Sequence, residues 1–204
     1  MNMRRLLFIV SLLLSPAKLA IGQGEYLNRG QSGIGASIDY ASNDLVRAYG
    51  GTLGFTYKGT LDLDLGFTTI DYGDGNTISR SISPSVTLYL AKQRADSRRP
   101  TIGLFASYSN NSTRHWVFKT GPDDGFSFGV MVAHQVLRSD KILFQPTIGF
   151  SYIKAQSIAI SGNFSIPIGI RLADGDILAL VPSVSFQSPN TSYGGSFVLV
   201  KSLF

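Results

Sequence analysis

The chain has no cysteine, one tryptophan and two histidines. Without cysteine there is no disulfide framework and no thiolate metal site, and His115 and His134 are too few to build an imidazole one. Charge is scarce as well. Glu25 is the sole glutamate, and charged residues make up 15% of the chain. A surface facing water usually carries about a quarter to a third charged residues. Long apolar runs are missing too. Leu6–Leu14 is shorter than the roughly 20 residues a membrane-crossing helix needs. Beyond it, no stretch repeats its apolar residues with the 3.6-residue period of an amphipathic helix.

What is present begins with a leader. Arg4 and Arg5 precede the apolar run, and Pro16 and the small residues Ala20 and Gly22 follow it. This is the three-part layout of a secretory signal peptide, with cleavage expected after Gly22. Its loss removes Arg4, Arg5 and Lys18 and lowers the formal charge of +5 by three. The remaining basic residues are scattered, so the charge gives no reason to expect nucleic acid as a partner. The expected organisation is a signal peptide over 1–22, a short arm over 23–32 and a single domain over 33–204.

From Gly33 onward the dominant period is two. Ten segments alternate apolar residues with Ser, Thr, Gly or Ala. In one, Leu61, Leu63, Leu65 and Phe67 alternate with Asp62, Asp64, Gly66 and Thr68. In another, Ile82, Val86 and Leu88 alternate with Ser81, Ser83, Ser85 and Thr87. Period two means strands with one apolar and one small polar face. The segments run to about ten to fifteen residues. A tilted transmembrane strand needs about 9–11, and strands of soluble sheets are usually about half as long as these. Tight connections such as Lys58-Gly59 and Asp174-Gly175-Asp176 alternate with longer ones such as 112–125 and 154–162, an asymmetry typical of outer-membrane barrels.

The alternation alone does not say which face points outward, but three features do. The polar face is nearly free of charge. Tyr40, Tyr49, Phe67, Tyr108, Phe126, Tyr152, Phe164 and Phe186 gather at the loop end of the apolar face, where ring bodies sit at headgroup level. The last segment runs through Val198 and Val200 to a terminal Phe204. That ending resembles the C-terminal signal of bacterial outer-membrane proteins, which the barrel-assembly machinery reads. Ser202 departs from it, standing where an apolar residue is usual. The whole pattern is similar to that of the small outer-membrane barrels that include OmpX, OmpW and the OmpA membrane domain. The resemblance implies an all-β, antiparallel up-and-down transmembrane barrel in the bacterial outer membrane, with outer-membrane lipid and the assembly machinery as partners. Ten strands are expected, and eight is the alternative. Pro84, Pro146 and Pro182 fall inside expected strands and suggest bulges or rims.

Two groups of residues are candidates for function. Asp39, Asp62, Asp64, Arg171 and Lys201 are expected on the lumen face, where they would form either an internal salt-bridge network or a polar constriction. Arg114, His115, Trp116, Phe118 and Lys119 form a candidate extracellular contact loop, since exposed Trp and Arg are common binding anchors. No cofactor and no metal are expected. The leading expectation is a non-enzymatic barrel that serves envelope structure or surface contact, or passes small solutes through a narrow pore. One alternative is a surface hydrolase or lipid-modifying enzyme pairing His115 with Asp123 or Asp124. Another is a soluble secreted barrel that binds an apolar ligand.

Overall fold

The computed structural model describes residues 26–43, 46–73, 77–93, 99–115, 123–138, 141–154, 158–172, 174–187 and 190–203. The expected signal peptide, Trp116, Phe118, Lys119 and Phe204 lie outside the described residues. The strands are β1 (Gly33–Ser42), β2 (Arg47–Tyr57), β3 (Leu61–Asp71), β4 (Thr77–Ala91), β5 (Thr101–His115), β6 (Asp123–Ala133), β7 (Leu137–Arg138), β8 (Ile142–Phe144), β9 (Thr147–Lys154), β10 (Ile158–Ser165), β11 (Ile168–Arg171), β12 (Ile177–Gln187) and β13 (Asn190–Ser202). Three wall strands are interrupted, so that β6 with β7, β8 with β9 and β10 with β11 each form one. The wall therefore has the expected ten strands.

Every pairing is antiparallel and joins wall strands adjacent in the chain, except that the first closes on the last: β1 pairs with β13 from Gly33↔Ser202 to Ser42↔Tyr193. With β10 held to β12, the ring has no free edge. Closure is what an apolar solvent demands, because an unpaired backbone group there has nothing to bond. The strands are tilted. A row of directly opposed residues starts at Ile34 near the start of β1. It passes through Phe55, Leu63, Val86, Ala106, Phe128 and Tyr152 and ends on Ile160 at the opposite end of the wall.

Local chemistry sets the turns and breaks. Lys58 and Gly59 have φ of 50° and 59°, and the Thr60 N–H bonds the Tyr57 carbonyl at 3.0 Å. Positive φ at both central residues gives the primed turn whose twist matches the strands it joins. Two of the three breaks fall at proline, and the third, between β6 and β7, lies beside Pro146 of the neighbouring strand. Pro146 separates β8 from β9, and Pro167 separates β10 from β11. The ladder steps across them, with the N–H groups of His134, Gln145 and Ile166 donating to the carbonyls of Pro146, Pro167 and Pro182, each at 3.0 Å. Pro84 and Pro182 stay inside β4 and β12.

Alternation sorts the side chains. Ile38, Leu53, Leu65, Ile82, Phe150, Ile160 and Leu180 point outward and are exposed. The loop-end aromatics stand on the same outer face. Tyr40 and Tyr49 pack with ring centroids 5.5 Å apart, and Phe128 and Tyr152 with centroids 5.2 Å apart. An apolar face this continuous is far beyond what a water-soluble monomer leaves uncovered.

The last strand corrects the sequence reading. Val198 and Val200 are buried inside the barrel, whereas Tyr193, Phe197, Leu199 and Leu203 are exposed on the outside. The four residues Phe197–Val200 are all apolar, so alternation is silent there. Packing decides instead, because Val198 and Val200 meet a core inside the barrel. Lys201 follows the same parity and lies on the outer face, not in the lumen. Its ammonium stands 3.8 Å from Asp176 and is well exposed. A pair so open to solvent contributes little stability.

Candidate functional site

The lumen has two unlike halves. At the end carrying the tight turns it is a packed floor. On one side Leu143, Ile177, Ala179, Val181, Val198 and Val200 form a buried cluster, and Tyr26 and Leu27 of the N-terminal arm insert into it. On the other side Tyr89, Phe105, Met131 and Ala133 pack together. Each large apolar side chain so buried contributes about 1.5–3 kcal/mol. Gly129 makes room for this packing, since a Cβ there would lie 2.6 Å from the Phe105 ring.

The arm is tied down by polar contacts. The Lys92 ammonium donates to the Leu27 carbonyl. The Gly30 N–H donates to the Lys58 carbonyl at 2.9 Å, and the Lys58 N–H to the Ser32 hydroxyl at 3.1 Å. Gln93 and Gln135 exchange bonds of 2.7 and 3.1 Å. Beside the arm a small cavity of about 20 Å³ is lined by Lys92, Gln93, Gln145 and Arg171 among others.

The structure divides the expected lumen charges. Asp62 is fully buried in the floor and accepts a 2.8 Å bond from the Tyr89 hydroxyl. Asp64 is buried on the same face. Arg171 is half-buried and points inward at the turn end. Asp39 lies in the other half of the lumen, bonded by Ser37 at 2.9 Å and more distantly by Thr52. With Lys201 outside, the five do not form one ring.

The loop-end half is a cup with a cavity of about 120 Å³, room for roughly ten waters. Its wall mixes serine hydroxyls with the carbon of alanine, glycine and aromatic residues. Ser81, Ser83 and Ser85 come from β4, Ser107 and Ser109 from β5, Ser183 and Ser185 from β12, and Ser192 and Ser196 from β13. Small inward residues at nearly every step leave this half unfilled. Asn163 and Ser165 of β10 line its lower part. In the sequence they stand out only as an N-x-S glycosylation motif, which has no meaning in a bacterial outer membrane.

In the candidate contact loop, Arg114 and His115 lie at the end of β5, with His115 opposite Thr77. Asp124 accepts a 2.9 Å bond from Asn110.

The closed antiparallel wall is shared with solved structures. The β domain of the Bordetella autotransporter BrkA superposes with a TM-score of 0.55 at 12% identity, over 84% of this chain and 98% of that one. The translocator domain of the autotransporter NalP from Neisseria meningitidis gives a TM-score of 0.51 at 11% identity, over 87% and 90%. The fold is that of a bacterial outer-membrane β-barrel. At these identities the likeness concerns the fold alone. No protein-family model matches the chain, and no curated protein matches it in sequence.

Proposed function

We propose that the mature chain, after loss of residues 1–22, sits in the bacterial outer membrane as a closed, non-enzymatic barrel. The tight turns face the periplasm, and the cup and the longer loops face outward. Its role is surface contact and envelope structure, with outer-membrane lipid around it and the assembly machinery as its route of insertion. One observation carries this reading: beneath the cup, the lumen is filled by buried apolar side chains and by the arm residues Tyr26 and Leu27. A solute entering the cup meets packed side chains, the buried Asp62 and Asp64 among them, and would have to displace them to pass.

The second reading, a narrow pore for small solutes, draws on the hydroxyl-lined cup itself. Leakage separates the two. Mature protein is inserted into liposomes, insertion is checked by heat-dependent gel mobility, and release of trapped ions and sugars is followed. A closed barrel leaves leakage at the level of empty liposomes. Release above that level rejects the closed reading in favour of the pore.

A further inference from the structure

The cup carries a single charge. Among the described residues that line it, Asp39 is the one charged side chain. Asp39 is half-buried and faces the cavity, so its carboxylate lies within reach of a molecule there. The strands hold the group from below. Ser37, one inward step nearer the floor on β1, donates to one carboxylate oxygen at 2.9 Å, and the Thr52 hydroxyl stands 3.5 Å from the other. Thr52 lies opposite Ser37, so both contacts come from the floor side. Both are neutral donors, which aim the carboxylate without cancelling its charge. Opposite Asp39 on β2 is Gly50, which brings no side chain.

Above the carboxylate the lining turns to hydrocarbon. One inward step nearer the loop end, Ala41 of β1 and Ala48 of β2 stand opposite each other, and both line the cup. Ala48 is buried with Val46 and Ile70, and Ala41 packs against that cluster. A negative group and an apolar wall therefore lie about 7 Å apart along the strand.

These two features select a ligand. An anion meets no Lys or Arg on the cup lining among the described residues. A divalent ion such as calcium takes about six to eight oxygens, several of them from carboxylates, and the cup offers one carboxylate. A neutral polyol gains little from a lining in which carbon outweighs oxygen. An organic cation uses both features. A charge in a cleft with low-dielectric walls also draws the opposite charge from outside. The cavity of about 120 Å³ is close in scale to an apolar cavity of about 150 Å³ known to hold benzene.

We infer that the cup binds a small organic ammonium ion, entering from the loop end of the barrel. Its N–H groups donate to the Asp39 carboxylate, and its hydrocarbon body rests against Ala41 and Ala48. The site rests on the closed-barrel reading, since a closed floor is what makes the cup a receptor and not a passage.

The test uses the mature barrel refolded in uncharged detergent micelles, with backbone amide shifts followed by NMR. Cyclohexylammonium is compared with its neutral and anionic counterparts, cyclohexanol and cyclohexanecarboxylate, and with the ammonium ion itself. Cyclohexylammonium should give saturable shifts at the amides of Gly50 and Ser196, which flank Asp39. The other three should bind at least about tenfold more weakly, for want of the charge or of the hydrocarbon. Asp39→Asn keeps the shape and removes the charge, and should weaken cyclohexylammonium by about tenfold. Thr52→Arg sets a guanidinium beside the carboxylate and should weaken it similarly. Heat-dependent gel mobility confirms that each variant is folded. Absence of saturable shifts in the folded barrel overturns the inference. Equal binding of cyclohexanol, cyclohexanecarboxylate or ammonium overturns it too, since the charge or the hydrocarbon then plays no part. Binding that both variants leave unchanged places the ligand elsewhere and has the same consequence. Liposome leakage judges the closed floor separately: a barrel that stays tight and binds no organic ammonium loses this site and keeps its proposed function.

Discussion

Replacing Leu53 by Arg tests which face of the barrel meets lipid. Leu53 lies midway along β2, is 59% exposed, and points outward beside Ala36 and Leu65. Because it is so exposed, its loss breaks little packing inside the protein. The cost of Arg there comes from the surroundings. At the middle of a bilayer it is about 2–4 kcal/mol, roughly a 30- to 1000-fold loss in the folding equilibrium. Thr52 is the natural control. It is the preceding residue and points into the wet cup beside Asp39. An Arg at 52 finds water and a carboxylate, so Thr52→Arg should change stability by less than about 1 kcal/mol. The assay is reversible urea unfolding from phosphatidylcholine vesicles, read by gel mobility. Equal costs at 52 and 53, or a neutral Leu53→Arg in a barrel still held by vesicles, would refute the assignment of the two faces.

Further predictions concern the floor and the wall. Tyr89→Phe strips Asp62 of its 2.8 Å bond in a fully buried setting, and the urea midpoint should fall by the equivalent of about 1–3 kcal/mol. Leu27→Ala removes a buried anchor of the arm, a loss of about 2–5 kcal/mol in a packed core. Trypsin should then cut after Arg29 much faster than in the unaltered protein, and an unchanged rate would mean that the arm does not depend on that contact. Gly129→Ala would place a Cβ 2.2 Å from the Phe150 carbonyl oxygen and 2.6 Å from the Phe105 ring. Overpacking of this kind costs about 1–3 kcal/mol, seen as a lower yield of the heat-modifiable form on refolding.

Much of the wall was legible because one physical rule repeats through it. In β3, Leu61 to Thr68 alternates without a fault, and the structure sets the leucines outside and Asp62 and Asp64 inside as expected. Lys58-Gly59 reads as a tight turn because Gly59, set between two alternating runs, accepts positive φ without steric cost, and Lys58 is carried into the same region with it. The rule fails where both faces are apolar. Ile177–Val181 and Phe197–Val200 carry no alternation, because their inner residues belong to the floor and their outer ones to the belt. That is why Val198, Val200 and Lys201 were assigned to the wrong sides. The arm was legible as a segment but not as a plug, since only the closed ring shows what Tyr26 and Leu27 insert into.

The arrangement of an open cup above a closed floor has one most direct measurement, and the absence of cysteine makes it clean. Single cysteines are placed at Ser83 in the cup and at Ala179 in the floor, which is 2% exposed. Each protein is inserted into vesicles with a uniform orientation and treated with a membrane-impermeant maleimide, from outside or trapped within. Ser83→Cys should react promptly from the loop side only, and Ala179→Cys should stay unlabelled from either side until the barrel is unfolded. Prompt labelling of Ala179→Cys in the folded barrel, or labelling of Ser83→Cys from the turn side, would contradict the closed floor.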